Sequence, residues 1–214
     1  KAGERTWFAL QEGQGVTATA YFNLSTGVVG TVSGTGTPSA TIKAYPNGWY
    51  RCTLTWTASG VAARIRLFLA TADSTASYSG DGTSGAYFWG AQLEASQKAG
   101  TYTPTTSTAV TANPARYQYN PSNLSAPPKL LLEAAGTNLL TYSEQFDNAV
   151  WVNLNSTVTA NATTAPDSTN TASSLIETAT TGVHWDFTNS PLNLYAATYT
   201  ASCYFKSNGR TAAT

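Results

Sequence analysis

The strongest constraint in this chain is a two-residue rhythm. In Tyr50–Thr57 (YRCTLTWT), Tyr50, Cys52, Leu54 and Trp56 alternate with Arg51, Thr53, Thr55 and Thr57. In Arg64–Ala70 (RIRLFLA), Ile65, Leu67 and Leu69 fall on one face, with Arg64, Arg66 and Phe68 opposite. Successive side chains of a strand point to opposite faces, so both runs predict strands with one buried face. The Gly60-containing stretch Ala58–Ala62 between them predicts a hairpin connection. Further strands are expected at 17–24, 27–32, 40–44, 86–93, 156–160, 173–178, 184–188 and 198–206, the first two joined by the turn Ser25-Thr26-Gly27. Short strands about ten residues apart, separated by Gly, Asn, Pro and Ser, predict an all-β chain, a β-sandwich or jelly roll.

Charged residues are only 10% of the chain, so hydroxyls and amides must cover much of its surface. Eleven basic residues balance eleven acidic ones, which argues against binding nucleic acid or an anionic membrane. Aromatic residues make up 12%, including six Trp and twelve Tyr. They need a packed core or a binding surface and argue against disorder. No window approaches the roughly 18 apolar residues of a membrane span, and KAGERTWFAL lacks the form of a signal peptide. A soluble chain beginning inside a larger polypeptide is expected. Cys52 and Cys203 sit in strand-like runs, where buried free thiols are favoured over a disulfide.

Between Thr103 and Gly136, Pro104, Pro114, Pro121, Pro127 and Pro128 interrupt the rhythm, so a connector is expected over 104–135. It divides the chain into 1–103 and 136–214. Lys1–Thr6 (KAGERT) is echoed by Lys206–Thr211 (KSNGRT), which would set the start of the chain in register with its end.

Three groups of residues carry a family resemblance. Thr137–Trp151 (TNLLTYSEQFDNAVW) and Asn161–Asp167 (NATTAPD) resemble the opening of a carbohydrate-binding-module-like jelly roll found in bacteriophage virion proteins. Asn47–Arg51 (NGWYR), Tyr78–Gly85 (YSGDGTSG) and Tyr87–Glu94 (YFWGAQLE) resemble the closing half of that module. Pro114–Pro121 and Leu130–Glu133 are similar to the lead-in before such modules in phage fibres, although Gly136 replaces an expected Arg, and Gln118 and Asn120 replace expected acids. The resemblance implies a concanavalin- or carbohydrate-binding-module-like sandwich, with 1–103 as the closing half of one module and 136–214 as the opening half of a second. Closing half precedes opening half, so three arrangements fit: incomplete modules in a longer fibre array, a permuted sandwich within one chain, or complementation between chains. The array is the favoured expectation, because a lone half-sandwich would expose its core and edges.

Candidate chemistry is sparse. His184, the only histidine, lies in a strand-like run and reads as structural. Glu94, Glu133, Glu144 and Asp147 have no spacing that sets a carboxylate pair across a sugar, so they read as surface or capping acids. Asp81 in the Gly-rich loop 78–85 is a calcium candidate, with an ordinary hairpin loop as the alternative, and no other cofactor is expected. Trp7, Tyr45, Trp49, Tyr87 and Trp89 are glycan-contact candidates by ring stacking; Trp49 and Trp89, inside the resembling motifs, read first as core packing, and Tyr45 and Trp7, away from them, as the better exposed candidates. The resemblance therefore implies a non-enzymatic virion-surface protein, a tail or head fibre or capsid decoration. Its partners would be other virion proteins or copies of itself, with a homotrimer expected, and cell-surface polysaccharide. The alternative is a non-catalytic carbohydrate-binding module of a secreted bacterial protein.

Overall fold

The structure is a computed structural model that describes residues 5–14, 17–59, 62–112, 115–118, 129–132, 136–189 and 192–207. The expected rhythm is realised there as a set of antiparallel strands. One six-stranded sheet has the order β14 (Trp151–Leu154), β18 (Trp185–Thr188), β7 (Ile65–Ala70), β1 (Trp7–Glu12), β2 (Thr19–Asn23), β3 (Val28–Ser33). The other has the order β15 (Ser156–Thr163), β16 (Ala172–Glu177), β9 (Gly85–Glu94), β20 (Thr198–Ser207), β5 (Tyr50–Thr57), β4 (Ser39–Ala44). Two-stranded pairs complete the set: β10 (Val110–Ala112) with β13 (Gly136–Asn138), β11 (Ala115–Gln118) with β12 (Lys129–Leu132), β8 (Ser77–Ser79) with β17 (Thr181–Val183), and β6 (Ala62–Ala63) with β19 (Leu192–Asn193).

The sheets pack face to face over one core. Phe8, Leu10, Phe22, Leu67 and Leu69 enter it from the first sheet, and Leu54, Trp56, Phe88, Leu175 and Phe205 from the second. Phe8 and Phe205 meet across it with ring centroids 3.5 Å apart. Fully burying each such side chain contributes about 1.5–3 kcal/mol, which makes this interface the main source of stability.

Two expectations change here. Tyr50–Thr57 and Arg64–Ala70 hold strands, but not a hairpin: β5 pairs with β4 and β20, while β7 pairs with β1 and β18. Leu54 and Trp56 belong to the same core as Leu67 and Leu69 but to the other sheet, so the chain crosses from one sheet to the other between β5 and β7. More consequentially, strands from 1–103 and 136–214 share both sheets. β16 pairs with β9, β20 lies between β9 and β5, and β18 pairs with β7. Thus 136–214 does not open a second module; it supplies the strands that cover the core of 1–103. The favoured array gives way to the permuted sandwich within one chain, because each stretch buries the other's edges and apolar face.

Asn138, in the Thr-Asn-Leu of the resembling segment, ties this junction. Its Nδ2 donates to Ala91 O at 3.1 Å and Thr103 O at 2.9 Å, and its Oδ1 accepts from Leu93 N and Leu140 N, each at 3.1 Å. These four bonds fill the amide's capacity in a site only 1% exposed. Within the expected connector, β11 and β12 form an antiparallel backbone pair, Ala115 opposite Leu132. Gly60, Glu133, Asn120 and most of the KAGERT and KSNGRT echo lie outside the described residues.

The predicted 25–27 turn is present. Asn23 Oδ1 accepts from Ser25 N and Thr26 N, and Gly27 at φ 69° donates its N–H to Asn23 O, which joins β2 to β3.

Candidate functional site

A second aromatic cluster lies outside the sandwich, on the outer face of the second sheet. Trp49, Trp89 and Tyr204 are nearly buried there, with Tyr45, Tyr87 and Tyr102 packed against them. Trp89 alternates outward after Ala86 and Phe88, and a bulge in β9 then returns Ala91 and Leu93 to the core. Phe88 points to the core and Trp89 outward, then Gly90 at φ 65° inserts an extra residue against β20, and Ala91 points inward again. An inserted residue of this kind re-aims the side chains on either side of it. A Cβ at Gly90 would stand 3.2 Å from the Tyr102 ring and 3.3 Å from Tyr204. Glycine therefore also permits the rings to close over the bulge.

Beside the cluster runs a groove of two adjoining hollows, about 610 and 450 Å³, which share Lys43, Tyr45, Arg51 and Ala99. The aromatic end is walled by Tyr45, Trp89, Tyr102 and Tyr204, with Pro166 and Asp167 at its rim. The other end has a threonine floor, Thr41, Thr53 and Thr55, overhung by Gln97, Lys98 and Ala99. The strand rhythm explains this floor: β5 sends Cys52, Leu54 and Trp56 inward, and thereby Arg51, Thr53 and Thr55 outward. Hydroxyls pair along it, Thr41 with Thr53 at 2.5 Å and Thr55 with Thr200 at 2.9 Å.

Arg51 sits where the hollows meet. Its Nη1 donates to Gly100 O at 2.7 Å and Nη2 to Ser202 Oγ at 3.0 Å, and its guanidinium carbon lies 5.4 Å from the Tyr204 ring centroid. Its Nε is buried without a hydrogen-bond partner. Lys43 Nζ lies 5.4 Å from the centre of the Tyr45 ring. Burial pushes the Tyr204 hydroxyl well up despite the opposing charge of Arg51, because a phenolate would have to form out of water. It raises Tyr102 as well, whose hydroxyl reaches Ser143 Oγ at 2.7 Å and donates to Glu144 Oε1 at 3.1 Å. Burial, with Asp167 adding to it, raises the Glu144 carboxyl. Tyr102 and Tyr204 thus face the groove as neutral rings and hydroxyls throughout the ordinary pH range.

No protein family, curated protein or solved structure matches this chain.

The expected contact residues divide. Tyr45 and Trp89 line the groove. Trp49 lies beneath, 1% exposed, its Nε1 donating to Thr164 O at 3.1 Å, while Trp89 Nε1 donates to Thr171 Oγ1 at 3.0 Å. Both indoles therefore anchor the 164–171 loop. Tyr87 supports the cluster without lining the groove. Trp7 is on the opposite side of the molecule, half-buried on β1; a Cβ at Gly30 would come within 2.7 Å of its ring. On that same face Arg66 covers Trp185 at 4.5 Å and Arg64 lies 5.7 Å from Phe187, so the rings there are capped by the protein's own cations. Arg51, Lys43, Tyr102 and Tyr204 were not among the expected contacts.

Asp81 is drawn into its own loop rather than held open for a cation. Oδ1 accepts from Thr83 N, Thr83 Oγ1 and Ser84 N, Oδ2 accepts from Ser84 Oγ, and Arg5 lies 3.8 Å away. Burial works the other way, but the bonds from Ser84 and Thr83 prevail and hold its carboxyl well below the usual range, since they favour the charged form. Among the described residues no group of three or more His, Cys, Asp or Glu gathers to hold a metal. His184 is fully buried against the Tyr78 ring, with Nδ1 2.7 Å from Asn155 O and Nε2 3.3 Å from Tyr78 O.

Proposed function

We propose that this protein is a non-catalytic glycan-binding adhesion module of a virion surface. The observation that carries the reading is the groove, where aromatic rings from several strands and loops stand beside a hydroxyl-lined floor. Sugar rings have flat C–H faces that suit such rings, edged by hydroxyls that need donors and acceptors. Against catalysis, glycoside hydrolysis needs two carboxylates across the sugar. The described groove lining offers one, Asp167, whose Oδ1 already accepts from Thr169 N and Oγ1. The virion setting is supported by the resembling segments alone, and flanking sequence encoding a polysaccharide-degrading domain would instead favour the secreted module.

The test is a glycan array followed by calorimetry on the hits. Parent protein should bind a defined set of oligosaccharides, and Tyr45→Ala should weaken them about fivefold, as expected for a lost ring contact of about 1 kcal/mol, in a variant that loses its edge contact with Tyr204 but still unfolds cooperatively well above the assay temperature. Failure to bind any glycan, or full affinity in Tyr45→Ala, would overturn the reading.

A further inference from the structure

Resting on that reading, the geometry points to a specific ligand class: a saccharide bearing an anionic group, held with that group over the threonine floor at Lys43, Arg51 and Lys98. In a chain with eleven basic and eleven acidic residues, three basic residues converge on this one stretch. No acid lines it among the described residues; Asp167 is in the adjoining hollow, at the aromatic end. Such one-signed clefts concentrate counter-ions of the opposite charge.

Arg51 holds its place in both hollows rigidly. The residue is 8% exposed and its terminal nitrogens are fixed by Gly100 and Ser202, so the groove meets a positive charge at a set position rather than a swinging side chain. Lys43 and Lys98 stand exposed beside it as donors. A carboxylate, phosphate or sulfate group supplies the complementary charge and acceptor oxygens. The thread of the groove then orders the ligand: a pyranose ring beside Tyr45 stands next to Lys43 and Arg51, so an acidic substituent on the same or the next ring meets the cations. The hydroxyls of Thr41, Thr53 and Thr55 face the remaining sugar oxygens.

The experiment uses the full chain and a panel of uronate-, sialate-, sulfate- and phosphate-bearing oligosaccharides. Each is paired with its carboxyl-reduced, desulfated or dephosphorylated form and titrated at low and high salt. The charged member of at least one pair should bind tenfold or more tightly and lose that margin at high salt, and the pair that does so identifies the anion. Lys98→Gln, exposed on the surface and outside the aromatic hollow, should weaken it three- to tenfold and leave the neutral partner unaffected, and Lys43→Gln, which lies over the Tyr45 ring, should weaken the charged member more than the neutral one. Equal binding of charged and neutral members, with both lysine variants silent, would overturn this inference and leave the glycan reading standing. No binding by any member of any pair would overturn this inference, and it would remove the glycan reading as well only if the array were also silent.

Discussion

Asn138→Asp removes one hydrogen-bond function while conserving shape. The carboxylate still accepts from Leu93 N and Leu140 N, but Ala91 O and Thr103 O lose their donor and face an oxygen instead. Each buried acceptor left unpaired costs about 1–3 kcal/mol, so two cost about 4 kcal/mol, a large share of the roughly 5–15 kcal/mol typical of a folded domain. Burial and the two carbonyls both favour the protonated acid, so the folded pKa of the new carboxyl is raised above its unfolded value of about 3.9. A raised value means that stability is fully present below the unfolded pKa and is lost as pH rises through the folded one. Urea unfolding followed by tryptophan fluorescence, with parent and variant compared at each pH, should give a deficit of about 4 kcal/mol at pH 7.5 and about half that at pH 4.5, where one donor returns. A deficit under about 1 kcal/mol at pH 7.5, or an equal deficit at both, would refute Asn138 as the junction between the two stretches of chain.

Arg5→Met tests a second tie. Arg5 donates to Glu177, whose fully buried carboxylate also accepts from Tyr78 OH and Asp81 N. Its removal should cost about 3 kcal/mol, where an exposed pair would cost under about 1 kcal/mol. A double variant with Glu177→Gln should recover part of the loss in the same urea assay, and simple additivity would count against the pairing. Asp186 is buried, with Oδ1 accepting from Asn153 and Oδ2 unpartnered, and burial pushes its carboxyl well up. Parent stability should therefore decline as pH climbs from about 4 toward that raised value, and Asp186→Asn should flatten the decline; identical pH profiles would refute it. Cys52 and Cys203 are opposite each other on β5 and β20, free and fully buried, and burial raises both thiols. Neither should react with a disulfide reagent in native buffer and both should react in urea; rapid native labelling would refute their burial.

Strand positions were largely legible because a strand with one apolar face writes it in alternation, as Cys52, Leu54 and Trp56 do on β5 and Tyr199, Ala201, Cys203 and Phe205 on β20. β1 escaped because its buried residues Phe8, Ala9 and Leu10 are consecutive and apolar, so no alternation stands out. Pairing was legible only across the 25–27 turn, which joins β2 to β3; elsewhere alternation says which face is buried and nothing about which strand lies alongside. β20 lies against β5 although they are far apart in the chain, Thr198 opposite Thr57. A hairpin of β5 with β7 therefore looked natural from sequence and is absent.

The candidate site showed itself in sequence only through Tyr45 and Trp89, for the same reason, and this bears on what it is. Tyr45, Arg51 and Trp89 come from the first stretch of chain and Asp167 and Tyr204 from the last, so the groove forms only when β20 is seated between β9 and β5. A count back from Leu93 through Ala91 puts Trp89 toward the core, and a count on from Ala86 through Phe88 puts it outward. The one available warning was Gly90, an isolated glycine in a strand, which marks the bulge where the two counts change over. Arg51 ends the resembling segment Asn47–Arg51 without any assigned contact and Lys43 belongs to no motif, and each is an ordinary outward residue of its strand until register sets Lys43 directly opposite Arg51 across β4 and β5. The binding surface is therefore a property of closure: whatever seats β20 completes the core, covers the edges and assembles the groove in one step, so ligand affinity and global stability should rise and fall together across variants at the junction.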